Sequence, residues 1–221
     1  MKELAYRKRV AELLHGDSAT VVQELSLRYR MGDYFKGRVF GMPDVSLDIV
    51  SLNRKSKFEL YELKMLDSQD IWTGKFIGQM LHYNFLFRTE CWNELAGRFA
   101  MRARNQGFVH GDIGRILSQL AGCGKGEDYR EGDKYARFES LALVVCGGKG
   151  YELAAGFNPI IWSFWFEFGE MLKSQKLKFK VFHAYLENGE LEFHNLKKLN
   201  VDGFLTDGAR RAYEADELSS S

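Results

Sequence analysis

Residues 43–65 read PDVSLDIVSLNRKSKFELYELKM, and the period of this stretch decides the kind of fold. Val45, Leu47 and Ile49 alternate with Ser46, Asp48 and Val50, the two-residue repeat of a strand with one face turned inward. Asn53, Arg54, Lys55 and Ser56 form a polar break, after which Phe58, Leu60, Glu62 and Lys64 share one side of a second run. Two alternating runs around a short polar loop predict an antiparallel hairpin. The second run starts apolar on that side and ends charged, so a face that begins in the core finishes on Glu62 and Lys64. A turn over 53–57 sets Asp48 almost opposite Glu62, with Asp44 farther along, near Lys64 and beyond.

Upstream, Leu4, Val10, Leu13 and Leu14 fall near helical spacing over 2–14, with Gly16 as a stop. From Thr20 the period changes: Val21, Gln23, Leu25 and Leu27 alternate with Val22, Glu24 and Ser26, a strand ended by Met31-Gly32-Asp33. Downstream, Asp67 or Ser68 caps a helix expected over about 69–88, with Trp72, Phe76, Gln79, Tyr83 and Leu86 along one stripe. Helical stretches follow from Trp92 to Met101, carrying Leu95 and Phe99, and over Ile113 to Leu120. The Gly-rich segment 122–134 reads as an exposed loop, and LALVVC at 141–146 as a buried central strand. The run 160–172, IIWSFWFEFGEML, follows Asn158-Pro159 and is apolar nearly all round. It suits a buried helix, with a homodimer interface as the lesser reading. Two further alternating runs flank Asn188-Gly189, a type I′ hairpin signal.

This order of elements is that of an α/β chain with a mixed central sheet. A single domain over 1–205 is expected, with a helical insertion at about 90–137 and a frayed tail at 206–221.

The composition, 45% hydrophobic and 28% charged over 221 residues, is that of an ordinary globular protein. No run of about 18 apolar residues predicts a membrane span. The opening MKELAYRKRVAELL lacks a signal peptide's apolar centre, so a cytoplasmic protein is expected. Cys91, Cys123 and Cys146 form no CxxC pair, and His15, His82, His110, His183 and His194 show no HxH or HExxH spacing. A disulfide framework and a zinc hydrolase are thereby disfavoured. GCGKG at 122–126 fails the phosphate-loop template, because Gln119 and Gly126 stand where glycine and Ser or Thr are required. The net charge of +1 neither marks nor excludes a nucleic-acid binder.

Two carboxylates converging from neighbouring strands suit Mg²⁺, which takes one or two protein carboxylates and keeps several waters. A nearby ammonium, here Lys64, can neutralise charge on a phosphoryl group or position a water. Pro43-Asp44, Asp48 and Glu62-Leu63-Lys64, followed on the next helix by Gln79 and Tyr83, resemble the PD-(D/E)xK signature and Q-x-x-x-Y motif of the restriction-endonuclease-like nucleases. The resemblance covers about residues 1–88 and the strand at 141–146.

It implies a core of helix, three-strand meander, helix and strand. It also implies a DNA phosphodiesterase, an endonuclease by expectation, using Mg²⁺ with Mn²⁺ as a substitute. Glu62 and either Asp48 or Asp44 would be metal ligands, Lys64 the electrostatic group and Gln79 an accessory. The literal Pro-Asp favours Asp44, whereas hairpin geometry favours Asp48. Some members of the family add a glutamate from the first helix, for which Glu3 and Glu12 are candidates, although a solvated surface explains either. Glu24 reads as an edge-facing carboxylate. Arg98, Arg102 and Arg104 would track DNA phosphates together with Tyr83, or form the wet face of a helix. The rival reading is a silent nuclease-fold protein that binds nucleic acid or a protein partner.

Overall fold

Strong alternation at both ends of the chain builds one six-stranded mixed sheet, with strands in their order along the sequence. The structure, a computed structural model, describes residues 3–16, 20–27, 45–53, 55, 57–89, 92–106, 137–148, 159–174 and 177–196. The elements are α1 (Glu3–Gly16), β1 (Thr20–Leu27), β2 (Val45–Leu52), β3 (Lys57–Met65), α2 (Gln69–Trp72), α3 (Lys75–Thr89), α4 (Trp92–Gln106), β4 (Arg137–Cys146), α5 (Pro159–Ser174), β5 (Lys178–Glu187) and β6 (Glu190–Asn195). β1, β2 and β3 form an antiparallel meander, β4 and β5 add in parallel, and β6 closes the edge antiparallel.

The hairpin loop is set by one side chain. Asn53 Oδ1 accepts from the Lys55 and Lys57 amides at 2.9 and 3.1 Å, and Asn53 N donates to Lys57 O at 3.0 Å. The turn at Asn188-Gly189 has φ of 51° and 85°, the doubly left-handed backbone a type I′ hairpin requires.

Two cores cover the two faces of the sheet. Val50, Leu52, Phe58, Leu60, Leu141, Leu143 and Val145 pack under α3, α4 and α5 through Phe76, Met80, Phe99, Trp165 and Phe168. Val21, Ile49, Tyr61, Leu63, Ala142 and Val144 pack under α1. β4 serves both cores at once, which is why LALVVC is an unbroken apolar run.

Two expectations are corrected. The helix expected over 69–88 is interrupted: Ser68 caps the short α2, Thr73 closes it, and Gly74 at φ 70° turns the chain before α3 begins. Only glycine adopts that backbone without cost, so the apolar stripe is carried across a break. On α1, Tyr6, Val10 and Ala11 are buried, whereas Leu4 and Leu13 are 62% and 40% exposed. The helix is rolled so that the larger Tyr6 surface meets the sheet, at the expense of two leucines.

The helix expected at 113–120, the loops at 31–33 and 122–134, the tail at 206–221 and Asp44 lie outside the described residues. No helix among the described residues is long and apolar enough to cross a membrane.

Candidate active site

β2 and β3 pair as far as Ile49↔Tyr61. One step beyond, the ladder is replaced by a side chain: Asp48 Oδ2 accepts the Leu63 amide at 2.9 Å. The strands part here, and Asp48 stands in the opening beside Glu62, as hairpin register requires.

The inward pattern also changes at this point. Val22 and Val50 face the α3 core, as do Leu25 and Leu47 three residues away on each strand, while Val21 and Ile49 face α1. A simple alternation cannot put residues an odd number apart on one face, so both strands exchange faces between them. Glu24 lies in the exchange at φ 52°, a left-handed backbone uncommon for a residue with a Cβ. At this irregular step Arg7, on α1, donates Nη1 to Asp48 Oδ1 at 3.3 Å and pairs through Nη2 with Glu24 Oε1.

Glu62 stays on the α3 side and is 4% exposed. Lys64 Nζ meets Glu62 Oε1 at 2.8 Å, and the Tyr83 hydroxyl donates to Glu62 Oε2 at 3.1 Å. Burial first, and the Asp48 charge second, push the Glu62 carboxyl up to about 7 against the opposing pull of Lys64 and Tyr83. Lys64 is held above its usual range: burial works against its charge, but Glu62, Asp48 and Glu3 outweigh it. Burial first, then Glu62 and Asp48, raise the Tyr83 hydroxyl, which remains a proton donor. Ser46 O lies 3.3 Å from that hydroxyl as a second acceptor. A phenol has one proton to give. It goes to Glu62 when the carboxylate is charged, and can turn to Ser46 O when Glu62 carries its own proton.

Of the residues singled out in the sequence, Asp48, Glu62, Lys64 and Tyr83 are brought together. Gln79 sits on α3 one turn before Tyr83, and its buried Oε1 has no hydrogen-bond partner. Glu3, one of the two helix candidates, is half-buried. Its carboxyl is raised by burial and by Asp48, while Lys64 and Arg7 pull it down, so α1 does present it toward the site. Glu12 is exposed and pairs loosely with Lys8 at 3.9 Å. Arg98, Arg102 and Arg104 stay on α4, which covers β1: Arg98 Nη1 donates to Ser26 O at 3.0 Å, while Arg102 and Arg104 are exposed. Glu24 is not a plain edge carboxylate, because Arg7 ties it to Asp48. Sequence reasoning missed Arg7. It lies one helical turn after Glu3, and that spacing is the signal that could have placed both on one face.

Among the described residues, no group of three or more His, Cys, Asp or Glu side chains is poised to share a metal ion. A divalent cation would rest on two carboxylates, with water and substrate oxygen completing its shell, which is the Mg²⁺ habit. The donor set fits that ion. Two carboxylates, the hard oxygen donors such an ion takes, come from adjacent strands, and the charged form of Glu62 is disfavoured by burial first and by Asp48 second. Cys146, beneath the site, is buried, and its thiol is raised by burial, Glu3 and Asp48, so it stays a protonated spectator. Comparisons with protein-family models, curated proteins and solved structures find no match for this chain.

Proposed function

We propose that this chain is a Mg²⁺-dependent deoxyribonuclease of the PD-(D/E)xK kind, with a restriction-endonuclease-like core formed by α1, β1–β3, α3 and β4. One observation carries the reading. The almost fully buried Glu62 shares the opening of the β2–β3 hairpin with Asp48 and is ion-paired to Lys64. Burying a carboxylate beside another carboxylate costs stability, and that arrangement persists where a cation is to be held.

Asp48 and Glu62 would hold the metal, which when bound polarises the phosphodiester and acidifies a water. Lys64 places an ammonium on the same side to meet charge that develops on the phosphoryl oxygens. Tyr83 fixes the Glu62 carboxylate by its hydroxyl. Gln79 offers an unpartnered buried carbonyl as an acceptor for a water. Arg102 and Arg104 on the exposed side of α4 supply phosphate contacts without base readout.

The test is cleavage of plasmid and single-stranded DNA by the full chain with Mg²⁺ or Mn²⁺. Metal-dependent cleavage is expected, with Lys64→Ala and Asp48→Asn each lowering the rate by about 100-fold or more, the scale seen when one preorganised charge is removed. DNA binding without cleavage under any divalent metal would leave the silent-binder reading instead.

A further inference from the structure

Each of the two carboxylates proposed as metal ligands already carries a cation of its own. Lys64 holds Glu62 at 2.8 Å, a normal charge-assisted distance. Arg7 holds Asp48 at 3.3 Å, a longer contact than such pairs usually make.

Three features distinguish Arg7 from an ordinary structural ion pair. Its Nε is buried with no hydrogen-bond partner, although a guanidinium built into a core normally satisfies its donors. Its other anchor, Glu24, is an exposed side chain, 51% open to solvent, and not a buried one. Asp48, by contrast, is fixed at its second oxygen by the Leu63 amide. The carboxylate is anchored to the backbone through the Leu63 amide, whereas the guanidinium, among the described residues, is held by two side chains alone.

Asp48, Glu24 and Glu62 stand against Arg7 and Lys64, three acidic groups against two basic ones. A divalent cation entering between the carboxylates adds two positive charges beside Asp48 Oδ1. Repulsion then falls on the group with the longer flexible stem. We infer that Arg7 is a resident counter-ion of Asp48 that the divalent cation displaces, freeing the guanidinium to bind a phosphate oxygen of the substrate strand. A guanidinium is suited to this exchange, because its planar fork matches a phosphate as well as a carboxylate. Metal and substrate would therefore bind with positive coupling, and by linkage each would tighten the other to the same degree.

This inference rests on the nuclease reading, and its test separates the two. A labelled DNA duplex is titrated onto the full chain in EDTA and in Ca²⁺, under conditions where no product forms. Mn²⁺ binding is measured separately without DNA. Wild type is expected to bind DNA at least tenfold more tightly with Ca²⁺. In Arg7→Gln that gain shrinks to about threefold or less, while Mn²⁺ binding in the absence of DNA is not weakened. Arg7→Lys keeps the charge without the fork and should recover part of the coupling. It also serves as the test variant if Arg7→Gln does not fold. Undiminished coupling in both variants, or weaker Mn²⁺ binding by Arg7→Gln, would overturn the inference and leave Arg7 as a holder of Asp48. A wild-type protein that neither binds metal nor gains DNA affinity with it would instead remove the underlying nuclease reading.

Discussion

Lys64 and Tyr83 favour the charged form of Glu62, but burial and the nearby Asp48 outweigh them. The Glu62 carboxyl is pushed up to about 7 from an ordinary 4.5. A raised acid contributes stability that is fully present below its unfolded value and lost as pH rises through the folded one. Stability of the metal-free protein should therefore fall between about pH 4.5 and 7, by on the order of 2–3 kcal/mol from this group. Glu62→Gln removes the titration. Its melting temperature relative to wild type should rise between pH 5 and pH 8 in EDTA, and Mg²⁺ should no longer stabilise it. A difference independent of pH would show that Glu62 does not titrate in this range. Lys64 was legible beside Glu62 because they alternate on one strand face. Arg7 was not, because its partners Glu24 and Asp48 come together only through the face exchange in β1 and β2.

At the level of elements, turns and strands were legible to differing degrees. Asn188-Gly189 has the backbone its dipeptide implies. Nothing lies within 4 Å of a Cβ built on Gly189, so Gly189→Ala tests backbone conformation alone. At φ 85° the cost should be about 1–2 kcal/mol. For a chain of this size that lowers the melting temperature by very roughly 2–8 °C. A Gly189→Ala protein as stable as wild type would contradict the type I′ assignment.

The interruption at Gly74 was hidden, since the apolar period runs on through Phe76 and Tyr83. Period reports which side chains face inward, and it stays silent about a backbone that turns between two helices with a common inward face. The roll of α1 was hidden for a related reason. Leu4, Leu13, Tyr6 and Val10 offer two overlapping stripes, and only the partner surface chooses between them.

For the whole molecule, the meander and the two parallel strands place the charged ends of β2 and β3 in one opening between α1 and α3. The α/β class and mixed sheet follow from strand runs separated by helical ones, and the register that set Asp48 beside Glu62 follows from loop length. α4 lies along β1, with Arg98 bonded near its carboxyl end at Ser26 and Gln106 reaching Gln23. On the proposed nuclease reading, the exposed Arg102 and Arg104 of α4 would contact the phosphates of bound DNA. Replacing both by Gln should reduce the salt slope of DNA binding by about 2, close to one per lost phosphate contact, while leaving the metal-binding step unchanged. An unaltered slope would place the DNA path elsewhere.

The central claim is that Asp48 and Glu62 share one divalent ion, and a crystal soaked in Mn²⁺ tests it most directly. One anomalous peak is expected at the mouth of the β2–β3 hairpin, about 2.0–2.2 Å from a carboxylate oxygen of each residue, with Arg7 withdrawn from Asp48. A peak bound to neither residue, or none at saturating Mn²⁺ with the Arg7–Asp48 contact intact, would contradict it.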